Sequence, residues 1–284
     1  VFAQFRFIDP TIFGMSFVSF RKIYAVLGGW GGKEVIGYQH MDALRERMAR
    51  CTYQADRSVL DLPPAIHERV VVDLGPQGRR IYTDLSENLR ADVQGGEVNA
   101  ANALVRLLRL QQLTSGVATL DNDPPEVIVV DQAKRKALIE LLDALPADEP
   151  VVVFGRFRAD LDSTHAAAAS LGRDSLELSG RKHQLEEWQA GGAPILATQI
   201  QAGGVGIDLT RAAYTVFART GFSLGDYEQA LARSHRPGQD RTVFYYHLLA
   251  RGTVDEQVYW ALKARKDAVE AVLENLASAQ SSAR

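Results

Sequence analysis

The sequence has a single cysteine and no long apolar run. Cys51 is the only cysteine among 284 residues. One thiol excludes an internal disulfide and a cysteine-rich zinc site, and it favours a reducing compartment. No apolar run approaches the roughly 20 residues that a membrane-spanning helix needs, and the N-terminal VFAQFRFIDP lacks the apolar core and cleavage signal of a secretory peptide. These absences predict a cytoplasmic protein with no membrane partner.

An excess of charge of one sign is also lacking. The chain has 32 Lys and Arg against 35 Asp and Glu, a formal net charge of -3. A nucleic-acid partner therefore has to be met by a local basic patch rather than by the whole surface. The first residue is Val rather than Met, from which we expect a fragment or a processed product.

The two halves of the chain differ in their hydrophobic pattern. Residues 1–120 predict a mainly helical region with one short strand segment, ERVVVDL, and the polar, proline-bearing VATLDNDPPE predicts a domain boundary. Residues 121–284 alternate strands with helices, beginning with the continuous apolar run VVVFG, which is typical of a buried parallel strand. This alternation predicts an α/β fold, a parallel sheet flanked by helices, which binds ligands at the carboxyl ends of its strands.

A glycine-rich segment, AGGVGIDLTRA (202–212), follows the predicted strand PILAT. Its glycines allow the backbone to approach a ligand closely or to adopt positive φ. A tight turn between two sheet elements explains the same residues, and the segment alone does not separate these interpretations.

An arginine-bearing segment, QALARSHRPGQ (229–239), comes 17 residues later. If Asp226 caps its helix, Gln229, Arg233 and Arg236 lie on one side of the helix, at spacings of four and three. A solvated charged face is the ordinary outcome for such arginines. However, the segment ends on Pro-Gly just before another predicted core strand, so it lies at a sheet edge, and planar guanidinium groups suit phosphate oxygens.

Together the two segments resemble motifs V and VI of superfamily 2 helicases, and most closely those of the Swi/Snf-type DNA-translocating ATPases. The signature Gln-Ala-x-x-Arg-x-His-Arg-x-Gly-Gln of that branch is filled at all seven of its fixed positions. VVVFGRFRADLD resembles motif IV, LELSGRKH the segment that follows it, and HLLARGTVDEQVYWALKAR the closing helix. GFSLGDY stands where this branch often has Trp-Asn-Pro, a departure that points to a bacterial or phage branch.

The resemblance implies two RecA-like lobes, of which residues 121–284 are similar to the second, with motifs IV, V and VI. The first lobe of the family carries a P-loop, and this sequence offers none: GGWGGKE has Leu27 six positions before Lys33 and Glu34 in place of Ser or Thr. VIVVDQAK has Gln132 where a carboxylate box needs glutamate, and we interpret Asp131 as a helix cap. Residues 1–120 are similar to the family's inter-lobe region.

By resemblance, Arg233 and Arg236 are arginine fingers that reach the γ-phosphate of ATP, which is held with Mg²⁺ mainly by the other lobe. The residues that the resemblance places at the ATP site are Gly204, Gly206, Asp208 and Gln229. The carboxylate of Asp208 either faces the ribose or the motif VI arginines, or forms a structural ion pair. Both interpretations stay open.

The resemblance also implies contacts with the phosphates of double-stranded DNA. The residues at the matching positions are Arg156, Arg158, Arg181, Lys182 and Thr198. Each arginine is equally explained as a solvated surface residue. The resulting hypothesis is the C-terminal half of an ATP-dependent DNA translocase or helicase-like ATPase, inactive without its N-terminal RecA-like lobe. A non-catalytic binding module and a true strand-separating helicase are the alternatives.

Overall fold

The structure is a computed structural model that describes residues 1–52, 60–95, 100–120, 126–202 and 206–265. The chain forms two compact units, Val1–Asp61, called unit 1, and Leu62–Arg284, called unit 2. The boundary between the units therefore lies about 60 residues before the predicted one at residue 120.

The described residues of unit 1 form helices α1 (Phe2–Ile8), α2 (Phe17–Tyr24) and α3 (Met41–Ala49) and an antiparallel hairpin, β1 (Ala25–Gly28) with β2 (Glu34–Tyr38). The Ser16 hydroxyl accepts a hydrogen bond from the Ser19 amide at 3.2 Å, which makes Ser16 the N-cap of α2, as the sequence predicts. The helix ends at Tyr24, before the hairpin, although the sequence predicts its end at the following glycines.

Unit 2 is built on a parallel sheet. Its described elements are β3 (Ala65–Val72), α4 (Pro76–Gly95), α5 (Ala100–Thr114), β4 (Val117–Leu120), β5 (Glu126–Val129), α6 (Ala133–Asp143), β6 (Val151–Gly155), α7 (Arg158–Ser170), β7 (Ser175–Leu178), α8 (Leu185–Gln189), β8 (Ile195–Gln199), β9 (Tyr214–Phe217), α9 (Leu224–Ser234), β10 (Val243–Ala250) and α10 (Val254–Lys263). Six strands pair in the order β3-β10-β9-β6-β8-β7, and every neighbouring pair is parallel. The prediction of a parallel sheet flanked by helices is confirmed.

Helices cover both faces of this sheet because the strands are apolar on both sides. The five residues of β6 are all buried. Val151 and Val153 pack with α6 and α7 on one face, while Val152 and Phe154 belong to the core formed with α5, α9 and α10 on the other. A strand that is apolar at every position is stable only between two such layers.

The sheet and its core extend into the part of the chain that the sequence assigns to a separate helical region. Strand β3 pairs with β10 over eight residues, from Ala65 opposite Val243 to Val72 opposite Ala250. The leucines of α5 at 107, 110 and 113 are almost fully buried in the core of the same unit. In addition, β4 pairs with β5 where the sequence predicts a linker. These contacts explain why the observed boundary precedes β3.

Candidate functional site

The glycine-rich and arginine-bearing segments lie against each other. The Leu209 amide donates a hydrogen bond to the Arg233 carbonyl at 3.1 Å. The Arg236 guanidinium donates through Nη1 to the Ile207 carbonyl at 3.3 Å. The two segments that sequence reasoning singles out therefore form one substructure, next to the loop that follows β8.

The Gln239 side chain forms hydrogen bonds with both the glycine-rich and the arginine-bearing segments. Its amide nitrogen donates to the carbonyls of Thr210 and Ala212, at 3.0 and 3.2 Å, and to that of Ser234 at 3.3 Å. Its amide oxygen accepts from the Arg241 amide at 3.0 Å. Since Gln239 is buried and engaged at both ends of its amide, it is a structural member of the site. No such role follows from the sequence alone, although Gln239 is the last fixed position of the motif signature.

The arginines occupy the end of α9 and the turn beyond it. Ser223, rather than Asp226, is the N-cap of α9, since its hydroxyl accepts from the Asp226 amide at 3.1 Å. The helix ends at Ser234, and His235 has φ -101° and ψ 84°. The prediction that all three residues share one helical face is therefore wrong for Arg236. Pro237 disfavours helical geometry at the residue before it and offers no amide to continue the helix.

The side chains of Arg233 and Arg236 are half-buried, while Gln229 is exposed on α9. Gly206 has φ +68°, the left-handed region that favours glycine, and no described residue lies within 4 Å of the position that a Cβ would take. Gly204 lies outside the described residues. The structure thus places the half-buried guanidinium of Arg236 at the carbonyl next to Gly206, and it joins the backbone of Arg233 to the same segment.

Asp208 forms a local turn with Thr210. Its Oδ1 accepts from the Thr210 amide at 2.8 Å and from the Thr210 hydroxyl at 2.7 Å. Burial pushes the pKa of Asp208 up, but these hydrogen bonds and the positive charge of Arg236 outweigh it and hold the pKa below its ordinary value. The carboxylate is therefore ionised next to Arg236, and it helps to shape the turn.

Two of the predicted DNA contacts follow β6. Arg156 is half-buried, with its guanidinium carbon 5.4 Å from the ring centroid of Phe222 and 5.9 Å from that of Phe157. Burial, together with the charge of Arg219, lowers the pKa of Arg156. Arg158 is exposed at the first turn of α7.

Arg181 is held by carboxylates in the loop after β7. Its Nε and Nη2 donate to the two oxygens of Glu177, both at 3.0 Å, and Nη2 also donates to Asp162 at 2.8 Å. Burial raises the pKa of Glu177, but hydrogen bonds from Arg181, Ser179 and His165 outweigh this and lower it to about 2. In this structure the guanidinium of Arg181 holds the loop together.

Lys182 and Thr198 differ in their access to solvent. Lys182 is exposed in the loop that Arg181 holds. Thr198 lies within β8 with a fully buried side chain, and its hydroxyl has no hydrogen-bond partner among the described residues. A fully buried side chain touches a DNA phosphate only after a rearrangement, so the predicted contact of Thr198 stays a prediction that its burial disfavours.

A buried ion network is centred on Asp255, and its membership does not follow from the sequence. Asp255 accepts from Arg219 at 2.5 Å, from Lys134 at 2.6 Å and from the Thr114 hydroxyl at 2.9 Å. Burial lowers the pKa of Lys134 to about 8, helped by Arg219 and opposed by Asp255. The sequence places Asp255 in the first turn of its helix, which is correct, but its partners come from α5, α6 and the loop after β9.

The sequence predicts Asp131 as a helix cap, but the N-cap of α6 is Gln132, and Asp131 has a structural role one residue before it. Its Oδ1 accepts from the Ala133 amide at 2.7 Å, at the start of α6, and its Oδ2 accepts from the Gly75 amide at 2.6 Å. Within the described ranges, no cluster of three or more His, Cys, Asp or Glu is placed to hold a metal ion. In the same residues, no helix is both long and apolar enough to cross a membrane.

Comparison with known proteins identifies the class. Residues 133–238 match the family model described as the helicase conserved C-terminal domain. The fold is similar to that of the C-terminal part of the Fun30 ATPase domain, with a TM-score of 0.59 and 17% identity over 78% of this chain and 99% of that one. It is also similar to the Sulfolobus solfataricus SWI2/SNF2 ATPase core in complex with dsDNA, with a TM-score of 0.57 and 20% identity over 94% of this chain and 58% of that one.

Residues 133–238 therefore match a helicase conserved C-terminal domain, and the RecA-like fold around them is similar to that of the SWI2/SNF2-type ATPase structures. A Mycoplasma genitalium protein named "Uncharacterized ATP-dependent helicase MG018" is 26% identical over 222 residues, or 75% of this chain. The chain spans about a fifth of the length of that relative, 21%.

Proposed function

We propose that this chain is the C-terminal half of an ATP-dependent DNA translocase or helicase-like ATPase, and that Arg233 and Arg236 serve as its arginine fingers. The observation that carries the proposal is the pairing of the two motif segments, in which the Arg236 guanidinium donates to the Ile207 carbonyl next to Gly206 and the Arg233 carbonyl accepts from Leu209. The name of the Mycoplasma relative supports the ATP-dependent activity.

The residues present fit one side of an ATP site. ATP, when bound on an N-terminal RecA-like lobe, supplies the γ-phosphoryl group, and we assign Mg²⁺ to that lobe because the P-loop and carboxylate that hold it in P-loop enzymes are not in this sequence. Arg233 and Arg236 would stabilise the charge that develops in phosphoryl transfer, and Gly206 would allow close backbone approach. Asp208 would keep Arg236 oriented through its negative charge.

We also propose a contact with the phosphates of double-stranded DNA at the carboxyl edge of the sheet. Arg156 and Arg158 follow the carboxyl end of β6 and Lys182 follows that of β7, and Arg158 and Lys182 are exposed. Arg181 takes part by holding the loop of Lys182 in place. A similar structure of the SWI2/SNF2 type contains dsDNA, which supports this partner. Closure of two lobes around ATP would then move this surface along the duplex.

The Arg236→Ala substitution tests the finger role in the complete protein. We expect DNA-stimulated ATP hydrolysis to fall by about 10³-fold or more, the usual contribution of such a residue. Arg80→Ala is the matched control, because Arg80 is exposed on α4 and belongs to no part of the site. ATPase activity of Arg236→Ala within a few-fold of the wild type would contradict the proposal. So would DNA-stimulated turnover by residues 1–284 alone.

A further inference from the structure

One histidine joins the arginine-bearing segment to the start of unit 2. His235 lies between the two arginines, directly after α9, and its side chain is half-buried. Its Nε2 is 2.7 Å from the carbonyl oxygen of Pro63. Since a carbonyl only accepts, Nε2 carries the proton and donates it. Pro63 is the second residue of unit 2, and 172 positions of the sequence separate it from its partner.

The segment that His235 holds is stiff and doubly anchored. The φ angles of Pro63 and Pro64 are fixed by their rings, and Pro63 is restricted further because it precedes another proline. The Pro64 carbonyl accepts from the Val243 amide at 3.0 Å, at the first residue of β10. Strand β3 begins at the next residue, Ala65. A displacement of the chain at Leu62 is therefore transmitted to the carbonyl of Pro63 with little bending.

On its other side, His235 belongs to the turn that presents Arg236. The His235 amide donates to the Leu231 carbonyl of α9 at 3.3 Å, and the Gln239 amide donates to the Arg236 carbonyl at 3.0 Å, which closes the turn. The Arg236 guanidinium donates to the carbonyl of Ile207. A movement of the His235 backbone therefore reaches Arg236 directly, because the two residues are neighbours in a turn that is held at both ends.

We propose that His235 is a positioning residue that couples the entry segment, Leu62–Pro64, to the placement of Arg236. The coupling is carried by the hydrogen bond from Nε2 to the Pro63 carbonyl. His235 itself touches no phosphate. The catalytic consequence rests on the proposed function, in which Arg236 acts on ATP, whereas the coupling is measurable in the chain by itself.

Hydrogen exchange of the Val243 amide tests the coupling without any activity. In His235→Ala, Pro63 loses its donor, so the entry segment is released more often and the Val243 amide should exchange about tenfold faster, the contribution of one hydrogen bond. His235→Gln offers an amide donor at a similar reach and should restore slow exchange. His40 is exposed in unit 1, so His40→Asn is the control. In this variant the Val243 amide should exchange at the wild-type rate.

Amides in the centre of β6 serve as an internal reference, because they report global opening. If His235→Ala leaves exchange at Val243 at the wild-type rate, the coupling does not exist. If exchange rises equally at Val243 and in β6, the histidine supports overall stability only, which also overturns the proposal. Faster exchange at Val243 with unchanged exchange in β6 is the expected result.

ATP hydrolysis by the complete protein tests the consequence for Arg236. A displaced finger lowers the rate of the chemical step, so we expect His235→Ala to lower kcat by about 10–100-fold with KM for ATP nearly unchanged. His235→Gln should recover most of kcat. Replacing both Pro63 and Pro64 by Gly should reduce kcat similarly, and the combined variant should be no worse, since both changes break one connection.

The outcomes separate this inference from the proposed function. If the complete wild-type protein hydrolyses no ATP, the proposed function fails, while the exchange experiment still decides the coupling. If the wild type is active and His235→Ala retains its kcat, the inference fails and the proposed function stands.

Discussion

His247 is a neutral histidine in the core of unit 2. Its side chain is fully buried, its Nδ1 lies 3.3 Å from the Glu68 carbonyl and its Nε2 lies 2.9 Å from the Tyr227 hydroxyl. The carbonyl requires a proton on Nδ1, so Nε2 accepts from the tyrosine. The ring also stacks on Phe217, with centroids 5.0 Å apart. Burial is the largest cause that lowers the pKa of His247 to about 3.

This residue predicts a loss of stability in mild acid. The pKa of His247 is about 3 in the folded chain against an ordinary value of 6.5, so its neutral form stabilises the fold fully above pH 6.5. That contribution is lost progressively as the pH falls towards 3. We expect the urea midpoint to fall between pH 7 and pH 5, a range above the ordinary pKa of Glu177, 4.5.

The matched variants are His247→Gln and His183→Gln, since His183 is exposed. His247→Gln removes the titrating group and should flatten the dependence of the midpoint on pH, although the variant is less stable at pH 7 because its ring contacts are lost. His183→Gln should keep the wild-type dependence. Equal slopes in both variants would refute the assignment. His67, whose pKa is also lowered by burial, contributes in the same direction.

At the scale of single residues, the sequence predicts what belongs to a contiguous motif. The capping serine of α2 is confirmed in this way, whereas the roles of Arg233 and Arg236 stay predictions. The partners of Asp255 are not, because Arg219 and Lys134 are 36 and 121 positions away in the sequence. Nothing in a single sequence indicates which distant charges will meet in a core. His235 was visible in the motif, but its partner is a backbone carbonyl, which leaves no signal in side-chain pattern.

Among the structural elements, the loop between β7 and α8 shows how a buried carboxylate fixes an exposed cation. The Glu177 side chain is almost fully buried, and it binds Arg181 through two oxygens. The Ser179 amide donates to the Lys182 carbonyl at 2.8 Å, which closes the turn. Lys182 is therefore exposed to solvent on a turn that the buried Glu177 holds through Arg181.

This arrangement predicts different results for the two neighbouring cations. Lys182→Ala should leave the stability unchanged and, in DNA-binding measurements at several salt concentrations, reduce the slope of log affinity against log salt by about one. Arg181→Ala should lower the free energy of unfolding by on the order of 1–3 kcal/mol, because Glu177 loses its main partner. Lys136→Ala, at an exposed position on α6, is the control for both. If Lys182→Ala leaves the slope of log affinity against log salt unchanged, Lys182 does not contact DNA.

The elements of unit 2 are largely predictable because their periodicity is strong. The strands β6 to β10 and the helices between them lie where apolar runs and caps indicate. The arginine spacing predicts a continuous helix through Arg236, but α9 ends at Ser234, because Pro237 disfavours helical geometry at the residue before it. The strand β4 lies where the sequence predicts a linker, because a four-residue strand carries little pattern of its own.

At the scale of the whole molecule, the boundary between the two units lies at residue 61, whereas the sequence predicts it near residue 120. β3 and β10 are adjacent in the sheet, yet about 170 residues separate them in the chain. Their pairing leaves no local signal in the sequence. The polar stretch after residue 117 does give a local signal, and it predicts a boundary there. Helical content before residue 120 was predicted correctly, but α5 belongs to the core of unit 2.

The two possible boundaries predict different behaviour of truncated chains. A chain that begins at Leu62 keeps β3, α4 and α5, and it should unfold in urea in one cooperative transition. A chain that begins at residue 121 loses the strand that covers the edge of β10 and three buried leucines of α5. Each such side chain stabilises a core by about 2–5 kcal/mol. We expect this shorter chain to be largely unfolded by circular dichroism; a midpoint equal to that of the longer chain would contradict this division.

The buried ion network constrains how this sequence can diverge. Asp255 binds both Arg219 and Lys134, and Asp160 lies 3.9 Å from Arg219, in a core where all four side chains are buried. Loss of the Asp255 carboxylate removes the hydrogen-bonded acceptor of both buried cations, whereas we expect joint replacement of Asp255, Arg219 and Lys134 by apolar residues of similar size to be tolerated. Three positions in different parts of the chain therefore form one evolutionary unit, and substitutions at them are expected to be inherited together.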